Sequence, residues 1–211
     1  MSVAGSAVDG GPLIRLAVGG TVAVTLVNHL ADTLLVTGLL DPRSPDTLVV
    51  PPGETGKTQF RADRPGLYGY FGSTRRGPEA WAGGRGGQLT GVIAVDSANA
   101  LPDRIFAITA WVGAPPIGGD SSFVLAINGK LWPQTERIRL AVGDSVHWRV
   151  INFAGSHHPM HLHGTYFRVD ARGTWAGDTA YTAAQHRLAV TEVLRLQETM
   201  TITWSPPRPG R

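Results

Sequence analysis

The chain has 211 residues, a formal net charge of +3 and 42% hydrophobic residues, which suits one large or two small globular domains. It contains no cysteine, so these residues hold no disulfide, thiolate metal site or cysteine nucleophile. No apolar run approaches the roughly 20 residues of a membrane span, and residues 1–11 show no secretory signal pattern. Three arginines gather in one glycine-rich loop and the others are dispersed, so we expect no nucleic-acid partner (Arg75, Arg76 and Arg85).

Short alternating apolar runs, bounded by glycine and proline, predict β-strands along most of the chain. No stretch shows a helical period over about eleven residues, so the predicted fold class is all-β, a sandwich or a barrel. Residues 96–103 are interpreted as a linker, and residues 113–120 as a loop. The predicted strands cover residues 13–18, 21–28, 34–40, 47–50, 57–60, 67–71, 90–95 and 104–112.

The second half of the sequence repeats the first. Residues 14–28 read IRLAVGGTVAVTLVN and residues 138–152 read IRLAVGDSVHWRVIN, which predicts two homologous β domains. After Pro65-Gly66 the first half continues for about thirty residues by comparison of the repeats, whereas the second half continues for one residue after Pro209-Gly210. We therefore expect the second sandwich to lack its last strand or strands and to expose an open sheet edge.

Four of the seven histidines lie within the segment HHPMHLH, residues 157–163. In a strand, residues two apart share a face, so His161 and His163 are expected to project together, with His158 at the start of the strand before Pro159. Imidazole nitrogen suits copper, zinc, iron or nickel, so this cluster predicts a metal site without naming the metal. The remaining histidines are expected to be ordinary surface or hydrogen-bonded residues (His29, His147, His157 and His186).

The segment HPMHLHG, followed by an alternating strand, resembles the HPxHLHGHxF pattern of multicopper oxidases such as laccases. Weaker resemblances to the same family extend over nearly the whole chain, including VVPPGETGKTQFRADRPGLYGY and QLTGVIAVD in the first half. The resemblance implies two Greek-key cupredoxin-like β-sandwich domains and copper as the cofactor. It also implies that His158 is a type 1 copper ligand, His161 a type 2 ligand and His163 a type 3 ligand.

The sequence departs from the family pattern at the other ligand positions. The two HxH pairs of the family's first domain align with residues 36–38 and 69–73, which contain no histidine. The family's HCH segment follows shortly after the Pro-Gly pair, and no cysteine is available for a type 1 copper. We therefore expect partial copper binding by this chain alone, with weak or absent oxidase activity.

The sequence thus predicts a degenerate cupredoxin domain without copper ligands at residues 1–97 and an incomplete, copper-binding domain at residues 104–211. The function implied is laccase-like substrate oxidation coupled to oxygen reduction, incomplete in this chain alone. Alternatives are a non-enzymatic copper-binding subunit, completed by an oligomer or a partner chain that supplies strands and ligands, and a cupin-like metalloenzyme, for which Asp170 is poorly spaced. Members of the family are usually periplasmic or extracellular.

Overall fold

The computed structural model describes residues 11–74, 89–112 and 123–209. The predicted arginine-containing loop and the predicted loop at 113–120 lie outside these residues. Within them the protein is nearly all-β, and no helix is long and apolar enough to span a membrane. The strands are β1 (Ile14–Ala17), β2 (Thr21–Val27), β3 (Leu34–Thr37), β4 (Thr47–Val50), β5 (Thr55–Arg61), β6 (Gly66–Ser73), β7 (Thr90–Asp96), β8 (Arg104–Val112), β9 (Phe123–Ile127), β10 (Val146–Asn152), β11 (His158–His161), β12 (Phe167–Thr174), β13 (Gly177–Ala180), β14 (Arg187–Ala189), β15 (Thr191–Leu194) and β16 (Glu198–Trp204).

The first sandwich packs a five-stranded sheet, in the order β1-β7-β6-β3-β4, against the antiparallel pair β2-β5. The Gly19-Gly20 turn carries the chain from one sheet to the other, so β1 and β2 do not form a hairpin. Instead, β1 runs parallel to β7. The alternation of β2 places Val22, Val24 and Leu26 against the buried residues of the larger sheet, which is how the sequence pattern produces a core between the two layers.

The second sandwich is built around a seven-stranded sheet in which β16 lies between β12 and β10, and β10 runs parallel to β8. A separate antiparallel pair, β11-β15, forms the opposing layer. The two layers enclose a core that includes Trp148, Phe167, Leu194 and Ile202. Both sandwiches therefore have the Greek-key cupredoxin-like form that the sequence predicts.

The internal repeat is visible in the strand pairing. In the first sandwich β2 pairs with β5 and β3 with β4, and in the second β10 pairs with β16 and β11 with β15. The match ends at residues 138–141, which correspond in sequence to β1 but form no strand. Because β1 is held by β7, and the described residues of the second sandwich contain no counterpart of β6 or β7, residues 138–141 have no strand to pair with. Ile138 and Leu140 still pack against the core.

The two sandwiches meet through the outer face of β6 and β7. Leu67, Val92 and Ala94 pack with Ile151 and Phe153 in a shared apolar cluster. A side chain at Gly69 would not fit there, because an added Cβ would lie 2.8 Å from the Phe153 ring. The backbone N–H of Gly69 also donates to the Trp175 carbonyl at 2.7 Å. The sandwiches are therefore joined by close packing as well as by the covalent chain.

An ion-pair network holds the segment between the sandwiches in place. Arg149 of β10 donates to Asp96 Oδ1 at 2.6 Å and also to Asp103, while Arg15 of β1 donates to Asp96 at 2.6 Å and to Asp103 at 2.7 Å. Burial alone raises the pKa of Asp96, but hydrogen bonds from Arg15 and Arg149 outweigh burial and hold that pKa below its usual value. The predicted linker is thus bonded at both ends.

Arg149 should contribute more to stability than Arg15, because its side chain is 11% exposed and that of Arg15 is 37% exposed. We expect Arg149→Met to lower the free energy of unfolding by about 3 kcal/mol, since it removes the more buried of the two guanidinium partners of Asp96 and Asp103. The matched change Arg15→Met should cost about 1 kcal/mol or less. Urea unfolding of both variants measures the difference, and equal losses would contradict the assignment.

The Asp178 carboxyl group of the second sandwich lies at the interface with the first. Its carboxylate accepts the Leu67 N–H at 2.9 Å, yet burial raises the pKa of Asp178 above its usual value. The folded state therefore binds the proton of the Asp178 carboxyl group more tightly than the unfolded state does. The stability that this protonated group contributes is fully present at low pH and is lost as pH rises through the raised pKa. Asp178→Asn should therefore raise the free energy of unfolding, relative to the wild type, by more at pH 7 than at pH 4. Urea unfolding of both proteins at the two pH values measures this. A stability difference that is the same at both pH values, or smaller at pH 7, would refute this.

Candidate metal centre

Strand β11 and the residues after it place the predicted ligands on two different faces. His158 and Met160 point inward and are half-buried, whereas His161 is exposed. The alternation continues past the end of the strand, because Leu162 is half-buried and His163 is exposed. Met160 and Leu162 both pack against the core of the second sandwich. The sequence prediction that His161 and His163 share a face agrees with this arrangement.

The packing of Met160 and Leu162 decides this orientation. A shift of the chain by one residue would turn both side chains to solvent and turn His161 and His163 towards the apolar core. Exposing two half-buried side chains of this size costs on the order of 3 kcal/mol, and burying two imidazoles without partners costs more. The apolar residues between the histidines therefore determine where each imidazole points.

His161 and His163 form a pair on the exposed face. Their ring centroids lie 4.6 Å apart and the ring planes are at 90°. His161 Nδ1 is 2.6 Å from Thr191 Oγ1, on the facing strand β15, which leaves His161 Nε2 as the nitrogen available for a metal. Such a hydrogen bond fixes the orientation of a ligand ring and the tautomer that it presents. The pair thus offers two imidazole rings as metal ligands, and the ring of His161 is already oriented.

The sequence did not single out Thr191, because no local motif marks it. The repeat contains the signal: Thr37 and Thr47 occupy the corresponding facing positions in β3 and β4, and their hydroxyl groups lie 3.3 Å apart. In the second sandwich His161 stands where the first has Thr37. The same cross-strand polar contact is therefore used to orient an imidazole.

His158 lies at the first position of β11, on the side facing the core. Its Nε2 is 3.2 Å from Ser156 Oγ, so Nδ1 is the ring nitrogen without a described protein partner. Partial burial, and to a smaller extent the neighbouring His157, lowers the pKa of His158 below its usual value. Both effects favour the neutral imidazole, which is the form that binds a metal ion.

The donor set of the described residues is partial. Across residues 11–74, 89–112 and 123–209, no three side chains of histidine, cysteine, aspartate or glutamate come together to hold a metal ion. His161 and His163 fit copper as two imidazole ligands of one site, and His158 fits as a single ligand of another. That these three histidines bind copper remains a prediction.

The positions that align with the family's other ligands are used for packing. Residues 36–38 lie at the end of β3 and directly after it, residues 69–73 lie in the neighbouring strand β6, and Val36 is opposite Gly72. Val36 belongs to the core of the first sandwich. Phe71 contacts Trp175 of the second sandwich edge-on, with ring centroids 5.3 Å apart. These two segments thus face each other as paired ligand segments would, but they carry apolar contacts.

Two of the remaining histidines, His147 and His186, have described contacts with other polar side chains. His147 lies in β10, where Nδ1 is 2.9 Å from Thr203 Oγ1 and Nε2 is 3.2 Å from Ser145 Oγ. Asp170 is engaged by Thr203 and by Arg168, and it lies 3.9 Å from His186 Nε2. Since the Asp170 carboxylate is bonded to Thr203 and Arg168, Asp170 does not complete a ligand set with His161 and His163.

Comparison with known proteins places this geometry in context. The sequence profile of the multicopper oxidase family matches residues 105–211. A search of curated proteins gave no match. Among solved structures, the multicopper oxidase mgLAC is 23% identical, with a TM-score of 0.74 over 95% of this chain and 68% of that chain.

Two structures from Nitrosomonas europaea are also similar to this chain. A blue copper oxidase is 23% identical, with a TM-score of 0.73 over 94% of this chain and 67% of that chain. A copper nitrite reductase is 24% identical, with a TM-score of 0.65 over 95% of this chain and 75% of that chain. At these identities the similarity establishes a shared fold.

The hydrogen bond from Thr191 should matter for copper binding. We expect Thr191→Val to weaken copper binding at the His161–His163 pair about tenfold, because the His161 ring loses its orienting partner. Calorimetric titration with Cu²⁺ measures the change. The matched control is Thr165→Val, since the Thr165 hydroxyl bonds backbone carbonyls and no histidine. Equal weakening in both variants would show that Thr191 has no specific role.

Proposed function

The chain belongs to the multicopper oxidase family, and we propose that it binds copper through His158, His161 and His163. The observation that carries the proposal is the exposed imidazole pair, with ring centroids 4.6 Å apart and one ring oriented by Thr191. Paired imidazoles of this kind suit copper. The assignment of copper rather than another metal rests on the family.

We propose two copper sites on opposite faces of β11. His161 and His163 contribute to one site on the exposed face, and His158 contributes to the other at the inner, half-buried end. In the family, bound copper supplies the redox chemistry that takes electrons from a substrate and delivers them to oxygen. The residues of this chain hold and orient the ligands: Thr191 fixes the ring of His161, and burial keeps His158 neutral.

Substrate oxidation coupled to oxygen reduction is proposed only for an assembly in which further ligands join these histidines. The sequence contains no cysteine to give a type 1 copper its thiolate. The segments at residues 36–38 and 69–73, with Val36 and Phe71, carry packing contacts in place of histidines. We therefore propose that the chain alone binds copper without oxidising a substrate. The proposed domains are residues 1–97, without copper ligands, and residues 104–211, with the three histidines.

The open edge of β11 supports completion by another polypeptide segment. In the first sandwich β3 pairs with β4 on one side and β6 on the other. Among the described residues, β11 pairs with β15 alone, so the edge corresponding to that of β6 is free. An open strand edge is a template for pairing. A second copy or a different chain could supply the strand together with ligands, and in that role the protein is a non-enzymatic subunit.

Copper titration of single variants tests the proposed sites. We expect His161→Ala and His163→Ala each to abolish the same binding event, because a pair with one imidazole missing loses chelation. His158→Ala should remove a separate, weaker event and leave the first within about twofold. The control His29→Ala, which alters an exposed histidine of the first sandwich, should change neither.

Spectroscopy of the loaded chain gives an independent check. Because no thiolate is available, the copper-loaded protein should show the electron paramagnetic resonance of nitrogen-ligated Cu²⁺ without an intense blue absorption band. An intense blue band from residues 1–211 alone would refute the proposed ligand set. Copper binding that survives loss of all three histidines would refute the proposed sites.

A further inference from the structure

Asn152 is a completely buried polar residue at the end of β10, six residues before His158. Its Nδ2 group donates to the Ser156 carbonyl at 2.9 Å and to the Leu194 carbonyl at 3.1 Å. Its Oδ1 atom accepts the backbone N–H of Ala154 at 2.9 Å. One side chain therefore holds both ends of the loop that leads into β11 and connects that loop to the facing strand β15.

The first sandwich contains the same device at Asn28, which is 1% exposed. Asn28 Nδ2 donates to the carbonyls of Asp32 and Val50, both at 2.9 Å, and its Oδ1 accepts the N–H of Leu30 at 2.9 Å. The backbone matches as well. The carbonyls of Asn28 and Asn152 accept N–H groups from positive-φ residues, Gly53 at 2.9 Å and Gln197 at 2.7 Å respectively.

Asn28 and Asn152 each tether a loop to the facing strand. These two tethers differ in the residue that each one positions. The strand partner of Val50 is Leu34, which is a buried core residue, whereas the strand partner of Leu194 is His158. The tether that closes a core position in the first sandwich thus precedes a half-buried imidazole in the second. On the proposed function, this makes the second tether part of the machinery that presents a metal ligand.

We infer that Asn152 is a positioning residue for His158. Only asparagine or glutamine offers two N–H donors and one acceptor in a single side chain, and the shorter asparagine places them next to its own backbone. Loss of this amide would leave the carbonyls of Ser156 and Leu194 and the N–H of Ala154 without this partner, so the loop and the His158 ring would sample other positions. A ligand held less firmly binds its metal more weakly.

A chain of backbone hydrogen bonds also connects Asn152 to the first sandwich. Gln197 N–H donates to the Asn152 carbonyl, Trp175 N–H donates to the Gln197 carbonyl, and Gly69 N–H donates to the Trp175 carbonyl, each at 2.7 Å. Asn152 is therefore fixed from the interface on one side while its amide fixes the loop on the other. This arrangement gives it a firm base from which to position His158.

The test compares Asn152→Ala with Asn28→Ala in the full chain. Each change is made in a background in which His161 and His163 are replaced by alanine, so that copper binding at His158 is the only event measured. Near-ultraviolet circular dichroism establishes that each variant is folded. Calorimetric titration with Cu²⁺ should show binding weakened about tenfold or more by Asn152→Ala, and changed by less than twofold by Asn28→Ala. A folded Asn152→Ala variant that binds within twofold of the background overturns the inference.

If Asn152→Ala does not fold, amide hydrogen exchange on the unaltered chain decides. Copper should slow exchange at Ala154, whose N–H Asn152 accepts, and leave exchange at Leu30 unchanged. Equal change or no change at both amides overturns the inference.

If the unaltered chain shows no copper binding at His158, the proposed function fails there, and the inference is judged on the copper-free protein. Asn152→Ala should then shift the NMR signals of the His158 ring and leave those of His161 and His163 in place. Asn28→Ala should leave the signals of all three rings in place. Unmoved His158 signals overturn it.

Discussion

The alternation of strand β11 is the constraint on which the site depends. Met160 and Leu162 must face the core of the second sandwich, so the histidines between and beside them are divided between two faces. His161 and His163 meet on the exposed face, and His158 is left at the inner end. Ligand placement is therefore a by-product of ordinary core packing, and the two proposed copper sites follow from a period of two residues.

The two halves use one framework, in a packed domain and in the domain that carries the proposed ligands. Thr37 contacts Thr47 where His161 contacts Thr191, and the buried asparagine tether is present in each sandwich. At the positions that align with family ligands, the first half carries apolar contacts with the second, as Phe71 does with Trp175. The two halves thus share the asparagine side-chain contacts and differ in the residues at these positions.

Much of this was accessible from the sequence. Alternating apolar runs predicted the strands of the first sandwich closely, and the spacing of His161 and His163 correctly predicted that they share a face. The repeat misled at residues 138–141, because a strand there needs the neighbour that β7 provides to β1. Thr191 and Asn152 could not be assigned roles from the sequence, since Thr191 contacts His161, and Asn152 bonds Leu194, across about thirty to forty residues of chain that only folding brings close. The predicted linker also proved to be bonded by Arg149, a residue of the next domain.

The division of the histidines between two faces is tested most directly by the anomalous scattering of a copper-soaked crystal. The account predicts one copper peak beside the rings of His161 and His163 and a second, separate peak, of lower occupancy, at His158. A single peak shared by all three histidines would contradict the two-face arrangement. Copper bound only at other residues would contradict the central claim altogether.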